Sequence, residues 1–142
     1  MNPKEKGEKG QRIVIGELAK CDLSVAIPLS DNLPWDLVVI SSNGSLLKAQ
    51  VKTSSESVNN GSVVFGLYSN NWYSGSTKKY DENDCDIMLL CDYENVYLLT
   101  PDEFTGRKCF TIRKEASKNG QSKNVNLAEK YLLANRIPDI RG

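Results

Sequence analysis

The sequence contains no histidine. This absence excludes catalysis by serine–histidine–aspartate or cysteine–histidine groups, zinc sites with histidine ligands, and nuclease types that use a histidine base. Any hydrolytic chemistry in this chain must therefore depend on carboxylates, amides, lysines and a bound cation.

The sequence also lacks metal-binding cysteine pairs and long apolar runs. Its four cysteines are scattered, with no Cys-x-x-Cys pair, so neither a zinc site nor a disulfide framework is predicted. We expect reduced thiols in a cytoplasmic protein. No apolar run approaches the length of a membrane span, and residues 1–12 are charged without an apolar segment, so neither a membrane partner nor a signal peptide is expected. The length of 142 residues predicts a single domain, residues 1–142.

Charge is balanced in number but uneven along the chain. There are 18 basic and 18 acidic residues, whereas a domain that binds nucleic acid is usually basic overall. The basic residues gather near the N-terminus, at Lys78 and Lys79, and in the C-terminal third, while acids gather between Asp81 and Glu94. This distribution is compatible with a locally basic surface, although ordinary solvated charge explains any single lysine.

The order of apolar patterns predicts a mixed β-sheet flanked by helices, an α/β or α+β fold. Helices are predicted at residues 4 to about 20, at 101–104 and at 125–136. Residues 70–84 are predicted to form a loop. Strands are predicted at 22–28, 62–69, 85–92, 95–100 and 108–113, in addition to a hairpin within residues 32–55.

That hairpin, "NLPWDLVVISSNGSLLKAQVKTSS", carries polar groups where apolar ones are expected. An Asn-Gly turn joins its two strands. Gln50 and Lys52 are two residues apart, so they share one face of a strand. A buried lysine beside an amide and an acid is costly unless something uses it. The alternative is a structural Lys–Asp ion pair at a sheet edge.

The turn decides whether Asp36 joins the face of Gln50. A two-residue Asn-Gly turn would place Asp36 opposite Val51, on the wrong face. A three-residue loop, Ser42-Asn43-Gly44, with Gly44 left-handed in a bulge, would place Asp36 opposite Gln50. We predict the bulged loop, because it brings an acid, an amide and an ammonium group together.

The same residues resemble the PD-(D/E)xK nuclease superfamily. Pro34-Trp35-Asp36 stands in place of the Pro-Asp motif and Gln50-Val51-Lys52 in place of (D/E)xK, and the glutamine variant is similar to the group I intron-associated endonucleases of that superfamily. "KGEKGQR" at 6–12 resembles the motif of the opening helix, and "YDENDCDIMLLCDYENVYLLTP" at 80–101 resembles a later strand pair. The resemblance runs from Lys6 to about Tyr131. It implies a restriction-endonuclease-like mixed β-sheet flanked by helices.

In function, the resemblance implies a divalent-metal-dependent DNA endonuclease that hydrolyses phosphodiester bonds. Asp36, the Gln50 side-chain oxygen and the Val51 main-chain carbonyl would hold Mg²⁺, with Mn²⁺ as a substitute. Lys52 would orient or deprotonate the attacking water and stabilise the growing negative charge. Since glutamine replaces a carboxylate, we expect weaker metal affinity.

The helix glutamate of the family falls at Gln11 in this sequence, which leaves Asp36 as the one assured carboxylate. Gln11 is counted among the catalytic candidates, with Glu17 as the first of three acids that would substitute for it. The other two are Glu8 and Asp31. Each also has an ordinary role, at the helix N-terminus, on the side of a helix or in a turn.

The predicted nucleic-acid contacts are basic or hydroxyl side chains: Lys6, Lys9, Arg12, Thr53, Lys78 and Lys79. Trp72, Tyr73 and Tyr80 would either stack on bases or pin a loop to the core. The expected partner is DNA, and cutting both strands favours a homodimer or higher homo-oligomer. Two alternatives stay open: a catalytically weak or inactive nuclease-fold binding module, and a Holliday junction resolvase-like enzyme.

Overall fold

The structure is a computed structural model that describes residues 1–55, 57–58, 61–70, 74–114 and 126–140. Trp72 and Tyr73 lie outside the described residues. The helices are α1 Pro3–Lys20, α2 Pro101–Phe104, α3 Ala128–Tyr131 and α4 Ile137–Ile140, with a 3-10 helix at Leu133–Arg136. The strands are β1 Ser24–Ala26, β2 Leu37–Ile40, β3 Leu46–Thr53, β4 Ser57–Val58, β5 Ser62–Gly66, β6 Tyr68–Asn70, β7 Thr77–Lys79, β8 Ile87–Cys91, β9 Val96–Leu99 and β10 Cys109–Arg113. None of the described helices is long and apolar enough to cross a membrane.

A mixed five-stranded sheet organises the chain. Its strand order is β1-β2-β3-β8-β9, with β3 and β8 parallel and the other neighbours antiparallel. A second sheet has the order β10-β5-β4, and β6 and β7 form a separate two-stranded ribbon. The predicted mixed sheet with flanking helices is therefore confirmed.

Two apolar cores lie on opposite faces of the five-stranded sheet. Val14 and Leu18 of α1 pack against one face, whereas Phe65 belongs to the core on the other. Strand β8 supplies alternate residues to both cores, which is why all five of its residues, Ile87–Cys91, are buried. A strand covered on both faces reads as a continuous apolar run instead of an alternating one.

The β2–β3 hairpin has the predicted bulged loop. The Ser41 N–H donates to the Ser45 carbonyl (2.9 Å), the Gly44 N–H donates to the Ser41 carbonyl (2.9 Å), and Gly44 has a φ of +87°. Leu37 pairs with Ala49 across the strands. Asp36, one residue earlier, therefore falls opposite Gln50, as predicted for the three-residue loop.

Two predictions for the segments that form the β6–β7 ribbon are wrong. The strand predicted at 62–69 breaks at Leu67, whose N–H donates to the Lys108 carbonyl (2.8 Å), so the chain leaves one sheet and enters the ribbon. The loop predicted at 70–84 contains β7, Thr77–Lys79, all of whose residues are exposed. A strand with no buried face lacks the alternation that marks strands in a sequence.

The single closing helix predicted at 125–136 is also wrong. Leu132 takes an extended ψ of 133° and forms a β-bridge with Tyr97, so α3 ends before it. Beyond it, Arg136 pairs with Glu103 and donates to a main-chain carbonyl of β9 (3.0 Å). Contacts with β9 thus override the helical pattern of this segment.

Helix α1 lies against the C-terminal end of β3 at Gly10. A Cβ added at Gly10 would stand 2.8 Å from Thr53 Cγ2 and 2.9 Å from Thr53 Cβ, and closer still to the hydroxyl oxygen. Rotating the threonine side chain would not relieve the contact with its Cβ. The close approach therefore requires glycine at this position.

We expect Gly10→Ala to destabilise the protein by about 1–3 kcal/mol through overpacking, although alanine is the better helix former. The matched control is Gly16→Ala on the same helix, where an added Cβ meets no atom within 4 Å. The control should gain up to about 1 kcal/mol from helix propensity. Urea unfolding measures both, and equal stability of the two variants would contradict the packing described here.

Candidate active site

A cavity of about 520 Å³ lies between the N-terminal half of α1 and the end of β3. Strand β2 begins at Leu37, opposite Ala49, so β3 runs four residues beyond the start of its neighbour. The main-chain edge of β3 is therefore open to side chains at this point. The cavity is lined by Pro3, Lys4, Lys6, Gly7, Glu8, Gln11, Asp31, Asp36, Val51, Lys52 and Thr53.

Two side-chain oxygens converge on one main-chain group at this edge. The Val51 N–H donates to Asp36 Oδ2 (2.9 Å) and to Gln50 Oε1 (3.0 Å). The N–H and C=O of a residue in an antiparallel ladder point to the same side, so the Val51 carbonyl faces this edge as well. A carboxylate, an amide oxygen and a main-chain carbonyl are the oxygen ligands preferred by hard divalent cations.

Lys52 stands next to these oxygens. Its ammonium donates to the Tyr68 carbonyl (2.9 Å) and lies 4.9 Å from the centroid of the Tyr80 ring. Tyr80 itself is only 5% exposed and belongs to the second core, so it pins its segment to the core. Of the two interpretations for Tyr80, the structure favours the core role. The hydrogen bond of Lys52 goes to a carbonyl and not to Asp36.

Burial moves the pKa values of the two charged groups in opposite directions. Burial raises the pKa of Asp36, opposed by the Val51 hydrogen bond and by the charge of Lys52. Burial lowers the pKa of Lys52, opposed by the charge of Asp36. Burial also raises the pKa of Tyr80 to about 12, so its hydroxyl stays protonated at neutral pH. Perturbed pairs of this kind are common at functional sites.

The helix residues predicted for the site divide into two groups. Gln11 and Glu8 line the cavity, as does Asp31 from the preceding loop. Glu17 does not: its carboxylate pairs with Lys20 (3.1 Å). Six residues separate it from position 11, a displacement of about 9 Å along the helix. The expectation that Glu17 joins the catalytic group is corrected accordingly.

The predicted DNA contacts are distributed around this opening. Lys6 and Thr53 line the cavity, and Thr53 also packs beneath α1. Lys9 lies 5.2 Å from the Tyr93 ring centroid, and Arg12 lies 3.8 Å from a Glu8 oxygen. Lys78 and Lys79 are exposed on β7, where Lys78 pairs with Asp84 (3.1 Å).

Sequence reasoning missed the main-chain partners of the site. Neither the Tyr68 carbonyl that holds Lys52 nor the Pro34 carbonyl that accepts from Gln50 has a side-chain signature. Pro34 belongs to the Pro34-Trp35-Asp36 motif, but nothing in the sequence indicates that its carbonyl accepts a hydrogen bond. The position of Tyr68 depends on the break at Leu67, which the apolar pattern did not show.

Comparison with known proteins identifies a protein family and a solved structure with a similar fold. A family model described as PD-(D/E)XK endonuclease matches residues 1–134. The solved structure of a bacterial homing endonuclease, I-Ssp6803I, aligns with a TM-score of 0.73 and 28% sequence identity, covering 94% of this chain and 90% of that one. No curated protein matches.

The raised pKa of Asp36 predicts a pH-dependent effect of Asp36→Asn on the metal-free protein. A carboxyl whose pKa is raised on folding penalises the folded state once it ionises, by about 1.4 kcal/mol per unit of pKa difference. The penalty is absent below the unfolded pKa, near 4, and complete above the folded pKa. Asparagine keeps an oxygen for the Val51 N–H without the charge. Asp36→Asn should therefore gain stability over the wild type as pH rises.

Urea unfolding over about pH 3.5 to 8 measures this difference, with Asp31→Asn as the matched control. Asp31 lines the same cavity but is exposed, so its variant controls for the loss of a carboxylate that is not buried. A stability difference between wild type and Asp36→Asn that stays constant over this range would contradict the burial penalty.

Proposed function

Because the chain belongs to the PD-(D/E)XK endonuclease family, we propose that the cavity beside α1 is its site of DNA hydrolysis. Family membership and the likeness to an endonuclease structure make the chain a DNA endonuclease. The observation that carries the assignment of the site is the convergence of Asp36 and Gln50 oxygens on the Val51 N–H, next to Lys52.

Endonucleases of this family generally use divalent metal ions, and we propose Mg²⁺ here, with Mn²⁺ as a substitute. Asp36, Gln50 Oε1 and the Val51 carbonyl would hold the ion, since all three are oxygen donors. When bound, such an ion polarises the phosphate and lowers the pKa of its water. Among the described residues, no three His, Cys, Asp or Glu side chains form a metal-binding group. Weak metal affinity is therefore expected.

Lys52 is proposed as the group that stabilises negative charge on the phosphate undergoing attack. Its hydrogen bond to Tyr68 and the ring of Tyr80 restrict the ammonium to one place at the cavity. A charge fixed in advance stabilises a transition state without reorganisation at the moment of reaction. The same ammonium also favours the ionised form of Asp36, the form that binds a cation.

The surface around the cavity is proposed to hold the DNA backbone. Lys6 at the cavity and Lys79 on the exposed strand β7 would neutralise phosphates, with Lys9, Arg12, Lys78 and Thr53 as further contacts. Affinity for DNA should then fall steeply as salt is raised.

Cleavage of both strands requires two sites, so we propose that a homodimer or higher homo-oligomer acts on DNA. Similarity to a bacterial homing endonuclease favours this type of enzyme over a junction resolvase.

The test compares Lys52→Ala with Lys48→Ala under single-turnover conditions. Linear and branched DNA are mixed with each protein in Mg²⁺, in Mn²⁺ and in chelator. Lys52→Ala should cut at least about 100-fold more slowly while still binding DNA, since it loses a fixed charge at the reacting phosphate. Lys48 is on the same strand but does not line the cavity, so its variant should cut like the wild type.

Cleavage that survives Lys52→Ala would place the chemistry elsewhere. Binding without cleavage by the wild type in either metal would instead support a nuclease-fold binding module. A preference for branched over linear DNA would favour a resolvase-like enzyme.

A further inference from the structure

The side-chain amide of Gln50 is held at both ends. Its Nε2 donates to the Pro34 carbonyl (3.0 Å), its Oε1 accepts from the Val51 N–H (3.0 Å), and the residue is only 6% exposed. Only the amide nitrogen can donate to a carbonyl, and only the amide oxygen can accept from an N–H. The two contacts therefore fix the amide in one orientation, with its oxygen on the side of Asp36.

The Nε2 contact extends the attachment of β2 to β3 beyond the main-chain ladder. Asp36 is joined to β3 by its own N–H, which donates to the Ala49 carbonyl (2.8 Å), and by its carboxylate, which accepts from Val51. The Gln50 amide holds the chain two residues earlier, at Pro34. Together these three hydrogen bonds determine where the Asp36 carboxylate lies.

We propose that Gln50 is a positioning residue whose Nε2–H anchors the Pro34–Asp36 segment, so that a glutamate at this position impairs the site. The PD-(D/E)xK pattern alone suggests the opposite, because it has an acid there. An ionised glutamate has no N–H, so a carboxylate oxygen would face the Pro34 carbonyl. Two acceptors facing each other in a buried place lose the hydrogen bond and cost the desolvation of both. The new charge would also stand beside Asp36.

The consequence for catalysis rests on the proposed function, whereas the anchoring itself does not. The anchoring and its effect on catalysis are therefore measured separately. Metal-free unfolding tests the anchor, and single-turnover cleavage tests its effect on the site.

Gln50→Glu is compared with Gln11→Glu, which makes the same chemical change in the same cavity but on α1. Without metal, Gln50→Glu should reduce the folding equilibrium constant by about 10- to 100-fold, the loss expected for a buried hydrogen bond whose acceptor is left unsatisfied. Gln11→Glu should lose much less. Urea unfolding in chelator measures both. Equal stability of the two variants would overturn the anchor.

The second measurement separates metal binding from rate. Gln50→Glu should bind Mn²⁺ at least as tightly as the wild type by calorimetry, because it adds a carboxylate, and yet cleave DNA more slowly at saturating Mn²⁺. A purely structural loss of folded protein would lower the amount of active enzyme without tightening Mn²⁺ binding. Cleavage at the wild-type rate at saturating Mn²⁺ would overturn the positioning role.

If Gln50→Glu does not fold, Gln50→Met removes the donor without adding charge and is compared with Gln11→Met. The methionine pair should show the same order of stability, and equal stability would again overturn the anchor. Absence of cleavage by the wild type in every metal would refute the proposed function, while the unfolding comparison would still decide the anchor.

Discussion

The main-chain N–H of Val51, at the point where β3 runs past β2, is the group on which the site depends. It gathers the oxygens of Asp36, which precedes β2, and of Gln50 in β3 within 3.0 Å of one atom. This convergence is possible because β2 starts at Leu37 and leaves the edge of β3 open. Helix α1 closes the other wall of the cavity by packing Gly10 directly on Thr53.

The charged groups of the site lower the stability of the metal-free protein. Burial disfavours the charged forms of both Asp36 and Lys52, and each charge only partly offsets the other. The rigid support comes from β8, which is buried on both faces and pairs in parallel with the end of β3 from Ala49 to Thr53. Polar groups of this kind are tolerated where the surrounding scaffold is firm, and a bound cation would remove part of the penalty.

Local signals made much of this structure predictable. The helix predicted from residue 4 spans Pro3–Lys20. The Asn-Gly sequence predicted a hairpin, and the three-residue loop that sets the register of Asp36 was predicted because it brings Asp36, Gln50 and Lys52 together. The sequence patterns gave wrong predictions where tertiary contacts determine the secondary structure. Leu132 leaves its helix to bridge to β9, and β7 has no buried face to produce a pattern. The carbonyl of Tyr68, which holds Lys52, is a main-chain group and has no signature in the sequence.

The most direct measurement is anomalous diffraction from crystals of the protein with DNA and Mn²⁺. We expect a manganese peak within about 2.0–2.4 Å of both the Asp36 carboxylate and Gln50 Oε1, the range of oxygen ligands to such ions. A phosphate should lie between this ion and Lys52. Manganese bound only at Glu8 and Asp31, or DNA that leaves this cavity empty, would contradict the assignment of the active site.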